Sequence, residues 1–187
     1  MKVIAIGGEP ATGKTTLMFK IIDKADDWVT CKPEKLLDAI YSKKLNTYIL
    51  GKYEQGGAFQ GTDRLSMAVQ PDAERFITNL NYENSDVNVL FEGDRLFNAK
   101  FLELISKSTN RFDILILEAN TDIVKQRHVD RNDTQTDKFI NGRKTKLENI
   151  CSSLVLMDYI NVMANNTLVD QQNIIGYIAD YFNWSEK

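Results

Sequence analysis

Apolar residues along this chain fall into two kinds of block, which predict two kinds of element. Residues 3–6 form a short continuous apolar run, which is typical of a strand buried on both faces of a parallel sheet. The largely apolar segments at residues 87–91, 112–117 and 160–163 predict further strands. Segments with apolar residues three and four apart predict helices at residues 14–24, 71–80, 98–105 and 171–182. Because strands and helices alternate, the chain is expected to form an α/β fold with a mainly parallel sheet.

The remaining segments are less regular. Residues 28–31 predict a short second strand, and residues 35–45 predict a helix with Leu36, Leu37 and Ile40 on one side. Two short apolar runs flank Gly56-Gly57 and predict a small hairpin. Residues 121–150 form a long, charged, largely helical region. We therefore expect one domain over residues 1–187, with a five-stranded parallel sheet in the order 2-3-1-4-5 and helices on both faces.

Composition narrows the functional classes. The 187 residues fit one domain, and a net charge of −3 without a basic tail argues against a polycation for nucleic acid, although a local basic patch stays open. Two cysteines without metal spacing predict reduced thiols in a cytoplasmic protein. Because His128 is the only histidine, neither a His-based metal site nor a Ser-His-Asp triad is expected. Neither a signal peptide nor an apolar run of ~18 residues is present, so no membrane contact is expected.

Residues 8–15, here called the phosphate loop, read G-E-P-A-T-G-K-T and match the pattern G-x-x-x-x-G-K-[ST]. Gly8 and Gly13 allow a backbone path that directs N–H groups at one anion, and the following helix adds its positive end. Lys14 is expected to reach the β- and γ-phosphates of a nucleoside triphosphate. The Thr15 hydroxyl is expected to bind Mg²⁺, and Thr16 to donate to the α-phosphate.

Other features select among nucleotide-binding proteins. The chain contains no N/T-K-x-D motif for reading guanine, and it is short for a motor or clamp ATPase. The sequence therefore predicts a small phosphotransferase that uses ATP and Mg²⁺. Such an enzyme needs an acid near the metal, an acceptor site and a basic lid.

The acid is expected where the strand at residues 87–91 ends. Glu92, Asp94 and Arg95 follow it directly, and ligands of doubly wound sheets bind at the carboxyl ends of strands. Glu92 is assigned to the metal, Asp94 to accepting the proton of the acceptor hydroxyl, and Arg95 to an acceptor phosphate. The alternative is a solvated acidic turn.

The lid is expected within residues 121–150, which are rich in lysine and arginine between residues 125 and 146. Arg127, Arg131 and Arg143 are the favoured contacts to the triphosphate, because closing arginines neutralise charge as it shifts. The alternative is a charged helical hairpin that faces solvent.

The acceptor site is expected within the insertion at residues 46–70, whose stretch 51–70 is dense in polar and aromatic groups. Tyr53 and Phe59 can stack on a planar ring. Polar contacts to the acceptor are expected from Asp63, Arg64, Ser66 and Gln70. Asp63 also competes with Asp94 for the role of general base. The alternative is a structural hairpin with its aromatic residues in the core.

The phosphate loop, the Glu92-Gly93-Asp94-Arg95 turn, the basic lid and the strand at residues 160–163 together resemble the nucleoside and nucleoside-monophosphate kinase group of P-loop proteins. The resemblance implies a three-layer P-loop kinase fold. It also implies that Asn165 and Asn166, which follow the last strand, pass the adenine of ATP.

Residues 61–67 and 141–146 are similar to bacteriophage P-loop kinases that phosphorylate 5-hydroxymethyluracil within phage DNA. This resemblance implies transfer of the ATP γ-phosphate to a hydroxyl on a nucleobase or nucleotide, in the cytoplasm of a bacterial host. The target base would have to be flipped out of duplex DNA, and binding would be sensitive to salt. A kinase for a free nucleoside, nucleotide or small metabolite is the first alternative, and a nucleotide-binding regulatory module without phosphotransfer is the second.

Overall fold

The computed structural model describes residues 1–54, 59–83, 86–130 and 137–184, without the side chains of residues 137–140. Within these ranges seven strands form one sheet, and there are six α-helices. Strands β1 to β7 are Lys2–Gly7, Val29–Glu34, Leu37–Ser42, Thr47–Leu50, Asn88–Glu92, Phe112–Glu118 and Ile160–Ala164. Helices α1 to α6 are Lys14–Ile22, Gln70–Tyr82, Ala99–Ser108, Thr121–Asp130, Asp137–Cys151 and Leu168–Phe182.

The sheet is mixed, with the strand order β2-β3-β4-β5-β1-β6-β7. Strands β4, β5, β1, β6 and β7 run parallel to one another, whereas β3 is antiparallel to both β2 and β4. The prediction of a five-stranded, all-parallel sheet is therefore wrong. When the five parallel strands alone are numbered along the chain, their order in the sheet is 2-3-1-4-5, as expected. The second of these five strands, however, is β4. Residues 28–31, which were expected in that place, contribute to the outermost strand instead.

The error comes from residues 35–45, which form strand β3 and not the predicted helix. Leu37 and Ala39 are buried on one face of β3, and its backbone pairs with a strand on each side. Leu36, Leu37 and Ile40 fit a helical spacing as well as a strand, so pairing with distant segments decides the outcome. The hairpin expected around Gly56-Gly57 lies in part outside the described residues, and residues 48–50 pair with β3 and β5.

Both faces of the sheet are covered by helices. Val3 and Ala5 of β1 pack in a cluster with residues of α2 and α3, whereas Ile4 and Ile6 pack with residues of α1 and α6. Successive side chains of a strand point to opposite faces, so a continuous apolar run is what a strand between two helical layers requires. The chain thus forms a three-layer α/β structure.

The long charged region after β6 forms two helices, α4 and α5. Helix α4 has no buried residue, and α5 joins the core through the fully buried Ile150 near its end. Among the described residues, none of the helices has the length and apolar character needed to cross a membrane. Because β1, β5, β6 and β7 are parallel, the segments that follow them lie together at the carboxyl-terminal ends of the strands.

Candidate functional site

The phosphate loop connects β1 to α1, as its motif predicts. Gly13 precedes α1 with φ 89°, in the left-handed region that favours glycine. A side chain at Gly13 would also meet the Asn165 amide nitrogen at 2.7 Å. No side chain of the described residues caps the start of α1, and backbone N–H groups at such a helix start are suited to binding an anion such as a phosphate.

Lys14 folds back over this loop. Its Nζ donates hydrogen bonds to the carbonyl oxygens of Gly8 at 2.8 Å and Glu9 at 2.7 Å. The ammonium group therefore lies on the loop itself. Thr15, in the first turn of α1, is partly exposed, and Thr16 beside it is exposed.

Two residues expected near the nucleotide, in the segments that follow β6 and β7, hold the phosphate loop by hydrogen bonds. Asn165 is fully buried, and its Nδ2 donates to the Thr12 carbonyl oxygen at 2.6 Å. Arg127 of α4 donates to the carbonyl oxygens of Ala11 at 3.1 Å and Asn165 at 3.0 Å. The structure thus brings both predicted residues to the phosphate loop. Asn166 lies farther along, where its side chain accepts from the Asn120 N–H at 2.7 Å.

Glu92 ends β5 directly beside β1, paired in register with Ile6. Only 3% of the residue is exposed, and its Oε1 has no hydrogen-bond partner among the residues that the structure describes. Burial raises the pKa of Glu92 to about 7, while the positive charge of Lys14 opposes that rise. The expected acid is therefore next to the phosphate loop, in a place that disfavours its ionised form.

The stretch 51–70, where the acceptor site is expected, covers the Glu92 side chain at Gly61. Gly61 has φ 65°, and its backbone exchanges two hydrogen bonds with Lys52, at 3.1 and 2.8 Å. A Cβ atom at Gly61 would lie 2.4 Å from Glu92 Oε1 and 2.9 Å from the Tyr53 hydroxyl. Sequence reasoning missed Gly61, because only the fold shows which carboxylate the segment covers.

Tyr53, in the same stretch, also lies beside Glu92 and Gly61. Its ring is partly exposed and meets Phe19 edge-to-face, with the ring centroids 6.1 Å apart. Its hydroxyl is buried and has no hydrogen-bond partner within the described part of the chain. Burial raises the pKa of Tyr53 well above its usual range, and the Glu92 charge adds to that rise. Tyr53 and Glu92 thus present two unsatisfied polar groups close together.

Asp94 is held by side chains of α5. Its carboxylate forms an ion pair with Arg143, and its carbonyl oxygen accepts from Lys146 Nζ at 2.7 Å. Its backbone N–H donates to Asp63 Oδ1 at 2.7 Å. Burial, together with the neighbouring charge of Arg143, lowers the pKa of Lys146 to about 8. Sequence reasoning favoured Arg143 but not Lys146, which lies one helical turn away on the same side of α5.

The other predicted acceptor residues differ in what they contact. Arg64 pairs with Glu54 at 2.7 Å, and the buried Arg95 Nε has no hydrogen-bond partner among the described residues. Phe59 is 60% exposed, so it is not part of the core.

Two predicted contacts serve local structure. The Ser66 hydroxyl accepts from the Ala68 N–H at 3.2 Å, and Gln70 bonds to Glu74 and Asn98. Arg131, expected in the lid, lies outside the described residues.

Metal binding can be tested on the donor set. The described residues contain no group of three or more His, Cys, Asp or Glu side chains that could hold a metal ion. Mg²⁺ typically needs only one or two protein ligands beside substrate phosphates and water. Thr15 and Glu92, on neighbouring elements at the carboxyl-terminal ends of the strands, fit that pattern.

Comparison with known proteins gives backbone similarities alone. No protein-family model matches the chain, and no curated protein does, so the bacteriophage resemblance gains no support. A sugar kinase from Janibacter sp. HTCC2649 aligns with a TM-score of 0.48 and 11% identity, over 99% of this chain and 96% of that one. A gluconokinase from Sinorhizobium meliloti 1021 aligns with a TM-score of 0.46 and 10% identity, over 100% and 98%. An uncharacterized protein from Eubacterium ventriosum ATCC 27560 aligns with a TM-score of 0.44 and 14% identity, over 98% and 99%.

Proposed function

We propose that this protein is an ATP-dependent phosphotransferase that moves the γ-phosphate of ATP to a hydroxyl group of a small molecule. One observation carries the proposal: Lys14 on the phosphate loop, the buried Glu92 and the Asp94–Arg143 pair converge at the carboxyl-terminal ends of the strands. A nucleotide-binding module needs only the loop. Phosphoryl transfer also needs acids and a positive charge on the far side of the γ-phosphate.

The phosphate loop and α1 bind the triphosphate through backbone N–H groups and Lys14. The Thr15 hydroxyl and the Glu92 carboxylate would hold Mg²⁺, which would neutralise charge on the phosphates. Arg127 and Asn165 hold the loop in shape beside the nucleotide, through their hydrogen bonds to Ala11 and Thr12. Arg143 and Lys146 are the cations that face the transferred group.

Of the two candidates for general base, we favour Asp63. The Asp94 carboxylate is occupied by Arg143, whereas Asp63 acts electrostatically on Glu92, Arg143 and Lys146 and so belongs to the centre of the cluster. A base must lie within hydrogen-bonding reach of the acceptor hydroxyl, which a carboxylate already paired with an arginine reaches less readily. Asp94 then positions Arg143.

The acceptor side favours a small hydroxylated molecule over DNA. Tyr53 offers a buried phenol hydroxyl, which can bind a hydroxyl group of the acceptor. Glu54 pairs with Arg64 and Asp94 pairs with Arg143, so these two arginines already have carboxylate partners and are less available to the phosphates of a polyanion. The partly exposed ring of Tyr53 and the exposed Phe59 can stack on a planar ring, so free nucleosides and nucleotides belong among the acceptors to test.

The test offers radiolabelled ATP with four classes of acceptor: polyols and sugar acids, free nucleosides and nucleotides, DNA with 5-hydroxymethyluracil, and ordinary DNA. We expect label in a small molecule, and none with the Lys14→Ala variant. Label in hydroxymethyluracil DNA alone would replace the small-molecule proposal with the DNA kinase. Tight ATP binding without transfer to any acceptor would instead support the regulatory module.

A further inference from the structure

A groove of about 1100 Å³ lies at the amino-terminal ends of the parallel strands, whereas the phosphate loop lies at their carboxyl-terminal ends. We call it the basal groove. It is lined by residues that begin or precede β1, β4, β5 and β6, together with the last turns of α6. Among the described residues that line it, the basic ones are Lys2, Lys24, Lys44 and Arg111, and the acidic one is Asp86. Since Lys2 begins β1 and Gly7 ends it beside the phosphate loop, the two sites lie at opposite ends of one strand.

The basic charges of the groove are weakly balanced. Among the residues that the structure describes, no carboxylate forms an ion pair with Lys2, Lys24 or Arg111. Lys44 meets Asp26 only at 4.0 Å, in an exposed position. Burial and the charge of Arg111 both lower the pKa of Lys2, and Asp86 offsets them only in part. A chain with a net charge of −3 thus concentrates positive charge in this groove.

The carbonyl groups that end α6 also face this region, and they would by themselves repel an anion. They are already hydrogen-bonded. Lys2 Nζ donates to the Tyr181 carbonyl oxygen at 2.8 Å, and Asn88 Nδ2 donates to that of Phe182 at 3.3 Å. A lysine ammonium has three protons, so Lys2 keeps two for a ligand.

Part of the lining is apolar. Ile175, Phe182 and Trp184 line the groove beside the basic groups. At Gly176, between them on α6, an added Cβ would meet no atom within 4 Å. The groove therefore has room for more than a phosphate ion, and its volume is of the order of sites for drug-sized ligands, up to about 1,000 Å³.

We infer that the basal groove binds a small phosphorylated molecule with a planar or apolar body, of nucleotide size, at a site separate from the phosphate loop. The phosphate contacts Lys2 and Arg111, and the body packs on the α6 surface around Gly176 and Trp184. This inference is independent of the proposed phosphotransfer, because it concerns the opposite ends of the strands.

The test follows the full-length protein by NMR during titration with AMP, with the Gly176 amide and the Trp184 indole as reporters. We expect saturable shifts of both, also in the Lys14→Ala variant. Reversing two exposed charges, Lys24→Glu with Arg111→Glu, should weaken this binding at least about tenfold, because attraction becomes repulsion. Lys32→Glu with Lys107→Glu makes the same charge change elsewhere on the surface and should leave it unchanged.

A second variant blocks the groove without changing charge. Gly176→Leu fills open space on a helix and should abolish the Trp184 shift while the protein stays folded. Shifts confined to the phosphate loop, or equal AMP affinity in the charge-reversed and Gly176→Leu variants, would overturn the proposal. Pyrophosphate binding as tightly as AMP would refute the planar body, and a short DNA duplex shifting the same signals more tightly would refute a small-molecule ligand.

Discussion

The buried carboxyl group of Glu92 should make the stability of this protein depend on pH. In the unfolded chain the group titrates near 4.5, whereas burial raises its pKa to about 7 in the fold. Below pH 4.5, Glu92 is protonated in both the folded and the unfolded chain, so its ionisation does not change the free energy of unfolding. As the pH rises, the unfolded chain releases its proton first, and the fold loses stability until Glu92 also ionises.

The size of the effect follows from the two pKa values. Between pH 5 and pH 8.5 the fold should lose roughly 2–3 kcal/mol of unfolding free energy through this one group. Glu92→Gln removes the titration and keeps the shape of the side chain. The difference in stability between the two proteins should therefore shift by that amount in favour of the variant as the pH rises. Titrating groups that do not interact with Glu92 act equally on both proteins and cancel in the comparison.

The assay is urea unfolding of both proteins at several pH values, without nucleotide or Mg²⁺, because ligands of the site would stabilise its charged form. Glu148→Gln removes an exposed carboxylate from α5 and serves as the matched control, with a curve that follows the wild type. Parallel curves for wild type and Glu92→Gln would refute the reasoning, since they would mean that Glu92 has the same affinity for protons in both states.

Further predictions concern the site. Lys14→Ala should lower the rate of phosphate transfer at least about a hundredfold with little change in the thermal melt; near-normal turnover would contradict its phosphate role. Asp63→Asn should lower kcat by about 10²–10⁴ and by more than Asp94→Asn does, and the reverse order in steady-state kinetics would make Asp94 the base. Gly61→Val should destabilise the fold by about 1–3 kcal/mol in urea unfolding, because it combines a positive φ with contact against Glu92 and Tyr53; an unchanged midpoint would refute that contact. Asn165→Ala should remove about 1–3 kcal/mol by leaving the Thr12 carbonyl unpaired, and an unchanged melt would contradict the bracing role.

The parts of the fold that sequence predicted are those with local causes. The phosphate loop lies between an apolar run and an amphipathic segment, and the structure has β1 and α1 there. Helix α3 begins where the Asn98 side chain accepts from the Phe101 N–H, and α6 begins with a capping box formed by Thr167 and Asp170. Patterns of this kind span a few neighbouring residues, so a single sequence contains them.

The parts that sequence did not predict depend on distant pairing. Strand β3 is a strand because β2 and β4 hydrogen-bond to it, and the spacing of Leu36, Leu37 and Ile40 alone fits a helix as well. The contact between Lys146 and Asp94 joins residues 52 positions apart. The burial of Glu92 needs Gly61 to approach it, which no local pattern encodes.

The antiparallel strands β2 and β3 also protect the rest of the sheet from association with other chains. Without them, β4 would expose an unpaired backbone edge that carries Tyr48, Ile49 and Leu50, and such edges pair readily with other strands. Strand β2 ends the sheet with Lys32, Pro33 and Glu34 and with an irregular register against β3. Charges, proline and bulges make an edge a poor partner for another strand. Strands β2 and β3 thus give the parallel sheet a border that pairs poorly with other strands, and their removal should make the chain more prone to aggregate.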